Sequence, residues 1–123
     1  MLFKDKFYTI KAASKEDNVF SYSIKLNKDH AIFSGHFPGN PVTPGVVQME
    51  IIKELVRESL PKPIKLDSMS NCKFLAILNP ETVGEVEVIL YLTENDNGQF
   101  KLNAVIQNSN TIFLKMSALY SFI

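Results

Sequence analysis

His36 and Glu50 are the residues in this chain whose types and spacing suggest chemistry. His36 is one of only two histidines, and Glu50 follows fourteen positions later. Between them the run HFPGNPVTPGVVQME carries prolines at 38, 41 and 44 and glycines at 39 and 45. Each proline holds φ at about −65° and biases its predecessor toward extended backbone, so His36 heads a stiff, non-helical run. A histidine delivered on a rigid loop to the start of a helix is one way to place a general base.

The helix receiving this loop is marked at both ends. Thr43 suits the N-cap and Pro44 the first helical position, where a missing N–H costs nothing. The helix is expected to run to about Leu60, where Pro61 and Pro63 stop it. On a helical wheel Val46, Met49, Ile51, Ile52, Leu55, Val56 and Leu60 cover more than half the circumference, which predicts a helix wrapped on several sides. Glu50, Lys53, Glu54, Arg57 and Glu58 share the remaining arc with Val47. By this pattern alone Glu50 is equally well a solvated helix charge, and Pro44-Gly45 merely a helix start.

On both sides of the helix the period is two. Phe20, Tyr22, Ile24 and Leu26 alternate as a half-buried strand after the polar turn at Lys15–Asn18. After Pro63, Leu66, Cys72, Phe74, Ala76 and Leu78 share one parity. Three further strands then put every even residue on the apolar side: Val86–Leu92, Phe100–Ile106 and Ile112–Phe122. Asn97-Gly98 and Asn108-Ser109-Asn110 suit tight turns between them, which implies an antiparallel meander. One apolar sheet face and one broadly apolar helix have a simple solution, an α+β domain whose sheet curls around the helix.

A chain of 123 residues with 46% hydrophobic and 21% charged residues is expected to form one globular domain over 1–123. Thirteen basic and thirteen acidic residues cancel, which gives no argument for nucleic acid or an anionic membrane as partner. A single cysteine, Cys72, excludes an internal disulfide and reads as a small core residue. His30 near His36 lacks a third ligand at a fitting spacing for a metal. No apolar run approaches the length of a membrane span, and a cytoplasmic location is the expectation.

The segment His36-Phe37-Pro38-Gly39, Pro41, Pro44-Gly45-Val46-Val47 and Glu50 resembles the active-site motif of the hot-dog-fold (3R)-hydroxyacyl-[acyl-carrier-protein] dehydratases, of the FabZ and FabA kind. The resemblance extends over nearly the whole chain, including the Lys73-Phe74 strand that leads to a Pro80 turn. It implies a lyase of fatty-acid or related lipid or polyene biosynthesis, acting on substrates held on the phosphopantetheine of acyl carrier protein, with no metal or organic cofactor. It further implies a homodimer or a trimer of dimers, each site combining the histidine of one subunit with the carboxylate of its partner. His36 would take a proton from C2, and Glu50 of the partner chain would protonate the leaving hydroxyl at C3. The Gly45 N–H would hold the thioester carbonyl and the Val42 carbonyl the imidazole, while Val46 and Phe37 would contact the substrate. The chemistry is coherent, because the positive end of a helix suits a developing enolate oxygen and a carboxyl kept protonated by burial can donate to hydroxide.

Two positions depart from the family pattern. Glu54 replaces the glutamine that usually supports the carboxylate, so it would raise the proton affinity of Glu50 or pair with Lys53 or Arg57. Gln48 makes the pocket wall more polar than usual. Lys53, Arg57, Lys62 and Lys65 offer a basic rim for an acidic carrier protein. The rival readings are a hot-dog thioesterase and a non-catalytic acyl-binding subunit.

Overall fold

The computed structural model describes residues 1–34, 39 and 41–123. In chain order the strands are β1 (Tyr8–Glu16) and β2 (Val19–Leu26), then helix α1 (Gly45–Ser59), then β3 (Ile64–Phe74), β4 (Glu85–Glu94), β5 (Gln99–Asn108) and β6 (Thr111–Phe122). All pairings are antiparallel, in the order β1-β2-β4-β5-β6-β3. The expected meander of β4, β5 and β6 is present. β2 and β3 are neighbours in sequence but lie toward opposite sides of the sheet, so α1 crosses the apolar face between them.

That face is built as the period-two pattern implies. Val86, Val88, Leu90 and Leu92 on β4 are buried, as are Leu102, Ala104 and Ile106 on β5 and Leu114, Met116, Ala118 and Tyr120 on β6. Ile51, Ile52, Leu55 and Val56 of α1 are buried with them in one cluster. The turns follow side-chain chemistry. Asn95 Oδ1 accepts from the N–H groups of Asn97 and Gln99 at 2.9 and 3.0 Å, and Gly98 takes φ +74°, which its missing Cβ permits.

Several local expectations are corrected. The helix begins at Gly45 rather than Pro44; Pro44 is the N-cap, with an extended ψ of 148° and no side-chain cap. Thr43 does not cap, because it lies one position too early and its side chain is buried. Val46, placed on the apolar face by the wheel, is 75% exposed, whereas Val47 is buried. At 100° per residue the sheet-facing arc is centred near Leu55, and Val46 falls opposite it beside Glu50, Lys53 and Arg57. On β3, Leu66 and Phe74 are exposed. β3 is an edge strand whose pairing with β6 shifts register twice, between Leu66 and Ser68 and between Met69 and Asn71, so its parity is broken.

Ile52 is fully buried where the helix meets the sheet. Replacing Ile52 with alanine should lower unfolding free energy by about 2–5 kcal/mol in urea titration. Lys101→Ala, on the exposed side of β5, should stay within about 0.5 kcal/mol.

Candidate functional site

Glu50 lies on the one stripe of α1 that the sheet leaves uncovered. It lines an apolar groove of about 190 Å³ with Val46 and Met49 of its own helix, Leu66 and Met69 of β3, and Tyr120 of β6. The aliphatic lining desolvates its carboxyl, and this is the main reason its proton affinity is raised above the ordinary carboxylate range. Glu54, by hydrogen bonding and by charge, pushes in the same direction, while Lys53 and Arg57 pull against it. Lys53 Nζ is 4.0 Å from Glu50 Oε1, a long and partly exposed approach. Tyr120 is pushed up to about 12, by burial first and then by the nearby Glu50 charge.

Gly45 and Val42 open on a different cavity, of about 340 Å³, shared with Thr43, Gln48, Phe74 and Ile77. Gly45 is the first residue of α1, so its N–H precedes any intrahelical acceptor. A Cβ built on Gly45 would stand 2.7 Å from Cζ of Phe74, so glycine is required for the approach of that ring. Gln48 is buried and its Nε2 donates to the Thr43 carbonyl at 3.1 Å. Among the described residues Gln48 Oε1 and Thr43 Oγ1 find no partner. The polar wall expected from Gln48 is therefore present beside Gly45.

The expected site residues thus divide into two groups. Glu50 shares a groove with Val46, and Gly45 shares a cavity with Val42; the two sets of lining residues do not overlap. His36 and Phe37 lie outside the described residues. His30, within them, uses its Nδ1 to accept the Ile32 N–H at 3.1 Å and packs edge-on against Phe7. Another surface cavity, of about 670 Å³, shares no lining residue with the Glu50 groove and has a mixed-charge lining that includes Lys11, Lys25 and Asp29.

Glu54 is where the sequence said least and the structure says most. It is fully buried and pairs with neither Lys53 nor Arg57. Its Oε2 accepts the backbone N–H groups of Leu2 and Phe3 at 3.1 and 3.0 Å. Its Oε1 accepts the Lys4 N–H at 2.9 Å and the Tyr8 hydroxyl at 3.0 Å. Burial and then this carboxylate push the Tyr8 hydroxyl well above its ordinary range. Lys4 itself pairs with Glu58 at the surface. No pattern near residue 54 announces this, because the donors are three backbone N–H groups and one tyrosine hydroxyl some fifty positions away in sequence.

The sequence matches the family described as "ApeI-like: ApeI dehydratase" over residues 12–113. The chain belongs to the ApeI-like dehydratase family. It is 27% identical over 115 residues to the 3-hydroxyacyl-[acyl-carrier-protein] dehydratase FabZ of Lactobacillus helveticus, covering 88% of this chain and 75% of that protein. To FabZ of Ligilactobacillus salivarius it is 31% identical over 98 residues, 74% of this chain and 69% of that one. Among solved structures, the dehydratase heterocomplex ApeI:P from Xenorhabdus doucetiae superposes with a TM-score of 0.73 at 16% identity, covering 92% of this chain and 96% of that chain. A thioesterase from Staphylococcus aureus gives 0.68 at 12% identity over 98% and 96% of the two chains. At such identities the likeness speaks for the hot-dog fold, which this ApeI-like chain shares with dehydratases and thioesterases alike. Among the described residues no helix is long and apolar enough to cross a membrane.

Glu54→Ala should cost about 3 kcal/mol in denaturant unfolding, the order of two charge-assisted hydrogen bonds, and should abolish hydrogen-exchange protection at the amides of residues 2–4. Glu58→Ala, which removes only the surface pair with Lys4, should cost at most about 1 kcal/mol.

Proposed function

We propose that the chain, over residues 1–123 as one dehydratase domain, is a hydro-lyase converting (3R)-3-hydroxyacyl thioesters on acyl carrier protein to trans-2-enoyl thioesters. The pathway is fatty-acid or a related lipid or polyene synthesis in the cytoplasm. His36 takes the C2 proton, Glu50 of a second subunit gives its proton to the C3 hydroxyl, water leaves, and the C2–C3 double bond forms. The Gly45 N–H steadies the thioester oxygen as it gains charge, and the Val42 carbonyl orients the imidazole. Phe37 and Val46 contact the acyl portion. No metal or organic cofactor enters the reaction, and the substrate arrives on phosphopantetheine.

The observation that supports this reading is the division of the site within one chain. Glu50 opens on one apolar groove and Gly45 with Val42 on another, as expected if the histidine loop and the glutamate of a chain serve different active sites. The exposed Val46, Leu66, Phe74 and Ile77 lie around these openings and along the free β3 edge, an apolar border suited to a second hot-dog chain. A homodimer, or a trimer of such dimers, is the simplest assembly that closes both grooves. A pairing with an unlike hot-dog chain is the second reading, favoured by the Xenorhabdus doucetiae relative being a dehydratase heterocomplex. Lys53 and Arg57 beside the Glu50 groove suit an acidic carrier protein.

Enoyl product and released thiol should be followed on a 3-hydroxyacyl carrier substrate, with enoyl product expected; thiol release without it would instead indicate the thioesterase chemistry of the Staphylococcus aureus neighbour. His36→Ala and Glu50→Gln should each lower turnover on the order of 10²–10⁴-fold. Mixing the two variants after dissociation should restore about a quarter of wild-type activity, since half of the randomly paired dimers then hold one intact site. No restoration, with both variants reassembled, would mean that base and acid come from one chain or from an unlike partner.

A further inference from the structure

We propose that Glu54 is the positioning residue of the acid: its buried carboxylate, fixed by four donors one helical turn from Glu50, keeps the charge of the pair and leaves the proton to Glu50. The inference rests on the reading of Glu50 as proton donor and names what prepares it. Two carboxylates on neighbouring turns of one helix face do not both ionise without cost, so the surroundings decide which holds the proton. The two surroundings differ sharply.

Glu54 receives the N–H groups of Leu2, Phe3 and Lys4 and the hydroxyl of Tyr8, two donors on each oxygen. All four need an acceptor, and a carboxylate offers nothing else, whereas a protonated carboxyl would turn its O–H toward one of them. With Glu54 fully buried, water does not replace a lost partner. Among the described residues Glu50 has no such set. Of the groups facing it, its own helix supplies Lys53 at 4.0 Å, Arg57 and Glu54, and β6 supplies Tyr120, while β3 contributes only Leu66 and Met69 to the groove. Against Lys53 and Arg57, burial and Glu54 prevail, and the carboxyl is held above its usual range.

The sign of the pH effect follows. Glu50 donates only while protonated, so a raised proton affinity extends the active form toward neutral pH, and neutralising Glu54 withdraws it. The test is carboxyl-carbon NMR of the glutamate-labelled full chain, with the Glu50 resonance assigned through Glu50→Gln, alongside the pH dependence of kcat/KM on a 3-hydroxyacyl carrier substrate. In the wild type Glu50 should titrate above the ordinary carboxylate range. In Glu54→Gln its titration, and the limb of the kcat/KM profile that belongs to it, should move together to lower pH. A purely structural Glu54 would lower stability and leave the Glu50 titration in place, which would overturn the proposal. So would a wild type in which Glu50 titrates in the ordinary carboxylate range, a result readable even if Glu54→Gln fails to fold. Activity retained by Glu50→Gln would instead overturn the acid role, an outcome that the Glu50 titration does not decide.

Discussion

One connection constrains most of this molecule. The chain leaves β2 near one side of the sheet and must re-enter at β3 on the far edge, and the segment that carries it across is α1. A helix laid across a curled antiparallel sheet buries the arc that faces the strands and keeps one stripe open. In α1 the buried arc holds Ile51, Ile52, Leu55 and Val56, and the open stripe holds Val46, Glu50, Lys53 and Arg57. Glu50 is therefore turned away from the sheet, half-buried in its groove, by the topology itself. Its groove gains its apolar character from the same layout, because the edge strand β3 and the last strand β6 supply the opposite wall.

The open stripe and the free edge belong to one problem. A chain that leaves Val46, Leu66, Phe74 and Ile77 exposed beside the edge strand β3 presents an apolar border of the kind that marks an interaction surface. Covering that surface and completing the site are the same act if a second hot-dog chain does both. The cover then serves stability and catalysis at once, and the desolvation of Glu50, partial in the single chain, deepens when the groove closes.

Much of the fold was legible because the sheet obeys one rule. Within Val86–Leu92, Phe100–Ile106 and Ile112–Phe122 the even residues face inward, and a period of two needs no tertiary knowledge to read. The misreadings have a common cause, which is that burial was assigned from residue type. Val46 is apolar and exposed because it sits opposite the sheet, and Leu66 and Phe74 are exposed because β3 is an edge with broken register. Glu54 is charged and fully buried because donors from residues 2–8 surround it. Of the candidate site, Glu50 and Gly45 stand out through their motif, and the structure adds that they open on separate cavities. Tyr120 and Met69, which line the Glu50 groove, carry no such signal because each merely fits its strand.

Glu54 also shows why a buried charge need not be a defect. Its desolvation is offset by three backbone N–H groups and a tyrosine hydroxyl, and the same bonds fix the path of the first residues against the helix. An apolar residue at position 54 would leave those donors unpaired, and a glutamine would present N–H groups to some of them. A carboxylate is the side chain of this length that accepts at every lone pair, so the anchoring role alone accounts for a glutamate at position 54. Once it is there its charge is felt at Glu50 one turn away, and the polarity of the anchor and the proton affinity of Glu50 are no longer independent. A change to the first few residues of the chain thereby reaches the carboxyl of Glu50 through the bonds that hold Glu54.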